Sequence, residues 1–458
     1  MVTSIKQGQA ATIAASARNE KLILWLIVLL ALGLRLFLMG YSKSYLIEND
    51  WAFGYETGRI AKAITVGEGF SSPFRHSSGP TAWLMPLYPL LLAVIFEICG
   101  VYTTNAAIAT LIVNCFISSL TCILLYHIAK LLFNRNVAYI VAMVFVLYPP
   151  SVWHAVNTIW DTTVFTFLAA ALIYWLLLLP QRLDFRSAAL YGFFMGVVAL
   201  VNAAIIAFYP FVIIWLFLQS TLDKGRKIKY LATICTLGFV TLMPWAFRNY
   251  VVFGRPMLRS NFGLEMKLGN SPQAWNAFKS ESDGRARVSP FSLGHPSNTH
   301  SEFQRYARLG EMNYMDRCFD EAMAFIKGNP GKCLRLTLKR IFDFWLGELV
   351  TTNEWAGNLK VSFSISGLKK LCYALPLPFM VVGILLALKR NFKSLPLIFF
   401  LLCLPTIYYI THISQRYRYP VEPIILVFAS YGFYAVARWI REFAKNNYPN
   451  LSRSNLIH

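Results

Sequence analysis

Asp50, in Glu48-Asn49-Asp50-Trp51, follows an apolar run that ends near residue 39, and Asp161, in Trp160-Asp161-Thr162, stands near the start of another. A carboxylate held at such a boundary can take a proton from an attacking hydroxyl. Asp50 and Asp161 are therefore the candidate catalytic residues, with Glu48 and Glu56 as competing carboxylates close to Asp50. Cations recur in similar settings. Arg59, Arg75 and His76 follow Asp50; Arg248 lies in Pro244-Trp245-Ala246-Phe247-Arg248-Asn249-Tyr250; Arg416 and Arg418 lie in Arg416-Tyr417-Arg418-Tyr419-Pro420-Val421-Glu422-Pro423. The guanidinium fork suits phosphate, so Glu56, Arg59, Arg75, His76, Arg248, Arg416 and Arg418 form the candidate substrate-binding set. The chemistry within reach is attack by a deprotonated hydroxyl with departure of a phosphate, which needs cations rather than an acid. Plainer readings stand beside these. Asp50 suits a helix N-cap, and Asp161 suits an acid complementing a helix dipole. Arg248, Arg416 and Arg418 suit anchors in an aromatic-rich interface. Arg35, inside the first apolar run, either snorkels or pairs with a carboxylate.

The elements that must position these groups are membrane spans. The chain is 56% hydrophobic and 14% charged, against about 25% charged in soluble proteins. Runs of about 20 apolar residues cross a bilayer as helices, because lipid leaves the backbone no other partner. The spans are expected at 22–39, 106–130, 137–150, 158–179, 187–202, 203–221, 230–250, 371–388, 395–411 and 422–440. The fold class is thus an all-α polytopic bundle of about ten or eleven membrane helices. No small-residue cleavage site follows the first span, which reads as a retained anchor.

Basic clusters at Arg18/Lys21, Lys130/Arg135, Arg182/Arg186, Lys224–Lys229, Lys389–Lys393 and Arg438–Lys445 mark the cytoplasmic side. This places both termini inside and segments 40–105, 150–158, 251–370 and the turn 412–421 outside. The same parity forbids Leu84–Ile98 from crossing, so it reads as an interfacial or re-entrant helix broken by Pro80, Pro86 and Pro89. Residues 51–64 read as an interfacial helix with Trp51, Tyr55 and Ile60 toward lipid. Residues 330–346 read as an amphipathic helix, apolar at Leu334, Leu338, Ile341 and Trp345 and basic at Lys332, Arg335, Lys339 and Arg340. Three regions follow: 1–250 with the first outer loop 40–105, the outer loop 251–370, and 371–458. The net charge of +21 is explained by cytoplasmic anchoring and anionic lipid, and nucleic acid is excluded as a partner. Five of the eight cysteines fall inside spans; Cys318 and Cys333 lie outside and could pair. No Cys or His spacing suggests a metal.

The order of these features resembles the GT-C superfamily of membrane glycosyltransferases. An acidic residue shortly after the first span precedes Gly67-Glu68-Gly69 and Pro86-Leu87-Tyr88-Pro89-Leu90-Leu91. Trp160-Asp161, the Pro244–Tyr250 motif, Gly310-Glu311, Asn329-Pro330-Gly331, Arg340, Trp345 and Arg416–Pro423 follow in sequence. Within the superfamily the chain is similar to the branch of protein O-mannosyltransferases and lipid A aminoarabinose transferases. The resemblance runs from about residue 22 to about 440. It implies transfer of a sugar, with inversion, from a polyprenyl phosphate to an acceptor hydroxyl on a lipid, glycan or protein, at the extracytoplasmic face of the plasma membrane. It implies no certain cofactor and leaves a divalent metal between Asp50 and Asp161 open. One departure is plain: a lysine that some members carry before the proline-rich run is absent here, where Thr81-Ala82-Trp83 stands. A transporter or lipid-linked-sugar flippase is the alternative. Against it, elaboration is concentrated in outer loops, whereas transporters show repeated halves.

Overall fold

The computed structural model describes residues 2–47, 50–283, 294–347, 370–390 and 392–447, the side chains of 2–17, 50, 51 and 415 aside. The described residues fold as helices joined by turns, with one isolated β-bridge between Ser71 and Pro80. Seven helical stretches are long and apolar enough to cross a membrane: Arg18–Ser42, Thr104–Leu132, Thr162–Gln181, Lys224–Phe253, Lys370–Arg390, Phe392–Ile410 and Arg416–Asn447. An eighth is formed if α5 (Arg135–Leu147) and α6 (Pro149–Asn157) count as one span bent by 48°. Helices α8 (Phe185–Val201) and α9 (Tyr209–Gln219) are apolar but shorter. Each of the ten expected spans therefore falls on a helix.

The first helix, α1 (Val2–Ser42), packs on α4 (Thr104–Leu132) and on the α5–α6 corner. Pro149 and Pro150 stop α5 because proline has no N–H. The carbonyls that they would have satisfied, those of Phe145 and Val146, are orphaned. Arg35 replaces the missing donors together with Ser151, whose Oγ donates to Phe145 O at 2.8 Å. Its guanidinium, fully buried, donates to Phe145 O at 3.4 Å and Val146 O at 3.5 Å. It also donates to Ser118 Oγ at 3.0 Å, Ser151 Oγ at 3.2 Å and Ala31 O at 3.1 Å. Arg35 thus neither snorkels nor meets a carboxylate among the described side chains. It caps the negative end of α5 and ties α1, α4, α5 and α6 together. Elsewhere helices approach through small residues: a Cβ on Gly192 of α8 would lie 2.4 Å from Ile234 O of α10 (Lys224–Phe253), and one on Gly196 would lie 2.4 Å from Thr241.

The first outer loop is not one helix from 51 to 64. A 3-10 turn covers Asp50–Phe53, and α2 (Glu56–Thr65) starts only after Tyr55, which offers no side-chain cap. Asp50 therefore does not cap α2. Tyr55 and Ile60, expected toward lipid together with Trp51, whose side chain lies outside those described, are buried, and α2 lies on α3 (Leu87–Cys99). Helix α3 has 13 residues, about 20 Å, too short to span the roughly 30 Å apolar core. Between the spans ending at Phe253 and starting at Lys370 lie α11 (Phe262–Gly269), α12 (Pro272–Ser282), α13 (His300–Leu309), α14 (Glu311–Gly328) and α15 (Pro330–Leu346). Cys318 and Cys333 are both buried and free, in separate apolar clusters, so they form no disulfide. The chain closes with α16 (Pro376–Arg390), α17 (Leu395–Cys403), α18 (Thr406–Ile410), α19 (Gln415–Arg418) and α20 (Glu422–Asn447).

Arg35→Met takes the guanidinium donor from the Val146 carbonyl and leaves the Phe145 carbonyl with Ser151 Oγ alone, at 2.8 Å. It should remove roughly 2–5 kcal/mol, read as a lower thermal midpoint in detergent. Arg35→Lys, one ammonium in place of a fork, should recover only part; an unchanged midpoint for Arg35→Met would refute the capping role.

Candidate active site

Asp161 immediately precedes α7 (Thr162–Leu178) and accepts a hydrogen bond from Asn202 Nδ2 at 3.1 Å. Burial pushes its carboxyl above the ordinary carboxylate value, and the charges of Arg416 and Arg259 act in the opposite direction. Arg416 sits over the Trp160 ring at 4.5 Å and over Tyr417 at 5.2 Å. Its Nη2 donates to Tyr417 Oη at 3.4 Å, and the charges of Asp161 and Glu56 act on it. Trp160 in turn stacks on Tyr55, with ring centroids 5.6 Å apart. This Tyr55–Trp160–Arg416 stack brings the first loop against the start of α7. Gly54, at φ +78°, makes the approach possible: a Cβ there would lie 2.2 Å from Ile159 O and 2.7 Å from Trp160 Cδ1. Tyr55 follows at φ +54°, so two successive residues hold left-handed φ values where the turn meets α2. Asp50 opens that turn; its side chain lies outside those described, as does all of Glu48.

The structure distributes the expected arginines unequally. Arg418 is buried and committed. Its Nε pairs with Glu422 Oε1 at 2.7 Å, Nη2 donates to Tyr373 O at 2.9 Å, and Nη1 donates to Trp345 O. Arg248 donates to Thr81 O at 2.7 Å, Phe70 O at 2.8 Å and Asn249 Oδ1 at 2.9 Å. It therefore clamps the two ends of the hairpin-like loop 70–81. Arg75 and His76 are exposed at the tip of that loop, His76 with its ring 5.2 Å from that of Phe303. Arg59 is buried in α2 one turn after Glu56. Glu56, also buried, accepts from Ser297 Oγ at 2.8 Å and lies 3.8 Å from His295 Nε2. Burial lowers the His295 pKa to about 4, against the pull of Glu56 and Glu265, so the imidazole is neutral at pH 7.

One cation escapes the sequence reading. Arg259 acts electrostatically on Asp161, Glu265 and Tyr417. It is fixed by the Pro244–Tyr250 motif: Trp245 Nε1 donates to Leu258 O and Asn249 Nδ2 to Met257 O, both at 2.8 Å. Ser260 N then bonds Ala82 O at 2.9 Å, and Arg259 Nε bonds Trp83 O at 3.2 Å. Glu265, one turn into α11, lies 3.4 Å from His412 Nδ1. Burial would raise its carboxyl, but His412 and Arg259 hold it below the ordinary value. A second carboxylate, Glu311, locks the loop from the other side: it accepts from Ala82 N at 2.7 Å, Tyr306 Oη at 2.7 Å and Thr81 Oγ1 at 2.5 Å. Among the described residues no group of three or more His, Cys, Asp and Glu side chains could hold a metal ion.

The sequence profile of the dolichyl-phosphate-mannose-protein mannosyltransferase family matches residues 79–246. That stretch holds Asp161 and the start of the Pro244–Tyr250 motif but not Asp50, Arg259 or Arg416. No curated relative matches the chain. Among solved structures, the oligosaccharyltransferase of Archaeoglobus fulgidus in complex with zinc and sulfate aligns over 92% of this chain and 50% of its own, at 14% identity and TM-score 0.52. The oligosaccharyltransferase AglB of that organism, in complex with an inhibitory peptide and a dolichol-phosphate, aligns over 93% and 52%, at 14% identity and TM-score 0.50. ArnT from Cupriavidus metallidurans, bound to undecaprenyl phosphate, aligns over 92% and 80% at 14% identity, with a TM-score of 0.35 that is too low to establish a common fold. This chain spans about half the length of the oligosaccharyltransferases it matches. The likeness is one of fold: the protein is a multi-span helical membrane protein that resembles the GT-C glycosyltransferases.

Gly54→Ala tests whether the stack assembles as described. The added Cβ should remove roughly 2 kcal/mol or more of stability, read as a lower thermal midpoint. Gly67→Ala, at φ +83° with open space around it, should lose only the ~1 kcal/mol of left-handed strain. Equal effects of the two would contradict the close approach at Trp160.

Proposed function

We propose that this protein is an inverting glycosyltransferase that moves a sugar from a polyprenyl phosphate to an acceptor hydroxyl at the extracytoplasmic membrane face. The observation that carries this reading is the half-buried Asp161 under the charges of Arg416 and Arg259, beside the turn that Asp50 opens. The mannosyltransferase profile and the GT-C-like fold support the class of reaction, and the dolichol-phosphate bound by AglB supports a lipid phosphate as donor.

In this reading the acceptor oxygen attacks the anomeric carbon opposite the phosphate. Asp50 takes the proton as the new bond forms. The bond from the anomeric carbon to the phosphate oxygen breaks, its electron pair leaves with the lipid phosphate, and configuration inverts. The leaving group needs no acid but gains charge exposure, which Arg416 and Arg259 neutralise. Asp161, braced by Asn202, orients the acceptor or the sugar. Arg248 and Arg418 act one step removed, holding loop 70–81 and the 416–418 turn. Glu56 and Arg59 line the α2 side, while Arg75 and His76 sit at the rim. The site draws on all three expected regions: Asp161 from 1–250, Arg259 from 251–370 and Arg416 from 371–458. The basic clusters support termini in the cytoplasm and a site on the opposite face.

Asp50→Asn keeps shape and deletes basicity. With a polyprenyl-phosphate-sugar panel it should lose roughly 10²–10⁴ in turnover while remaining folded; Asp161→Asn should lose less. Near-normal turnover by folded Asp50→Asn would remove Asp50 as the base. Movement of the lipid-linked sugar across the bilayer, with no glycosidic bond formed by wild type, would instead establish a flippase.

A further inference from the structure

Helix α15 presents two faces of different character. Cys333 and Leu336 are buried with Ala274 and Phe325, and Phe344 is buried in the main core. On another face Leu334, Leu338 and Phe342 are 60%, 56% and 51% exposed. Their spacing of four puts them in one row. The row is not the one expected from sequence: Ile341 and Trp345 are partly buried, and Phe342 takes their place. Apart from Phe262 and Phe319, these three are the large exposed apolar side chains of the described residues 254–347. The exposed positions of α14, by contrast, include Asn313, Arg317, Asp320 and Glu321.

Two bonds fix the height of this row. Trp345 Nε1 donates to Tyr409 Oη at 2.8 Å, and Arg340 Nε donates to Tyr409 O at 2.7 Å. Tyr409 is the penultimate residue of the span Phe392–Ile410. The C-terminal half of α15 is therefore fastened to the end of a membrane helix, where the apolar core of the bilayer gives way to headgroups. The basic side chains of α15 are mostly committed. Lys339 pairs with Glu281 at 3.0 Å and with Asp343; Arg340 is buried; Lys332 lies 5.7 Å over Trp275. Arg335 is exposed one position after Leu334.

We propose that α15 lies in the outer leaflet of the membrane that the protein spans, with Leu334, Leu338 and Phe342 among the acyl chains and Arg335 on a phospholipid headgroup phosphate. A row of three large apolar residues in water beside a bilayer edge is unfavourable, and lipid is the partner already present at that height. Arg335 supplies charge of the right sign for headgroup phosphate. Because Arg340 also donates to Gly269 O and to Asn270 Oδ1 at 3.1 Å, the seated helix braces the end of α11, which carries Glu265.

The test does not depend on catalysis, so it stands apart from the reaction assigned above. Dansylalanine is encoded at position 338, and at Arg317 of α14 as the aqueous control, and the full chain is reconstituted in nanodiscs. With phospholipid bearing a doxyl group near the top of its acyl chain, emission at 338 should be blue-shifted and quenched at least twofold, while emission at 317 should be unquenched. Water-like emission at 338 overturns the proposal. Blue-shifted, unquenched emission also overturns it, because protein then covers the row, whether another segment of this chain or a second copy. The label replaces an exposed side chain, and native size-exclusion behaviour confirms the fold in both proteins.

Discussion

A guanidinium surrounded by lipid or apolar protein persists only when fixed acceptors replace its water, and this constraint organises the molecule. Arg35 meets it by standing in for the N–H groups that Pro149 and Pro150 lack. Its five contacts join the first helix to α4 and to the bent α5–α6 pair. Ser151, which Arg35 holds through Oγ, also accepts from Tyr419 Oη at 3.4 Å through its carbonyl. The corner that Arg35 caps is therefore in contact with the turn that carries Arg416. A charge that looks costly from its position in the sequence is the device that lets a proline-stopped helix sit inside the membrane.

The same accounting separates framework from site. Arg418, Arg248 and Arg340 each direct several donors at backbone carbonyls, and each joins segments distant in sequence. Their work is to hold loop 70–81, the 416–418 turn and the end of α11 in place. Arg416 and Arg259 differ. Among the described residues, each side chain donates one hydrogen bond, to Tyr417 Oη and Trp83 O respectively, while both act on the half-buried Asp161. Cations with donor capacity left beside a carboxylate are what a phosphate-bearing ligand requires.

Much of this was legible in sequence, and the failures have physical causes. Hydropathy located the seven long apolar helices and the bent α5–α6 pair because lipid demands apolar length whatever the packing, while the expected spans 187–202 and 203–221 fall on shorter apolar helices. It did not reveal the 3-10 turn at Asp50–Phe53, since two left-handed residues stabilised by tertiary contact override helical pattern. Arg418, expected among the substrate-binding cations, is instead committed to Glu422, whose place four residues on was a readable sign of the pair. Arg259 carried none of its own: it lies in Gly254-Arg255-Pro256-Met257-Leu258-Arg259 without repeat or motif. Its only herald was the Pro244–Tyr250 motif, whose Trp245 and Asn249 turn out to grip the two residues before it. In α15 periodicity found the helix but misassigned its outward row, because Trp345 was drawn inward by its bond to Tyr409.

Arg416 and Arg259 are proposed to receive a lipid phosphate, and equilibrium binding tests that without any reaction. Polyprenyl phosphate lacking sugar should bind the detergent-solubilised wild type saturably. Arg416→Gln and Arg259→Gln should each weaken binding roughly tenfold or more, the loss of a charge-assisted bond. Wild-type affinity in both folded variants, or no saturable binding to the wild type, would contradict the site.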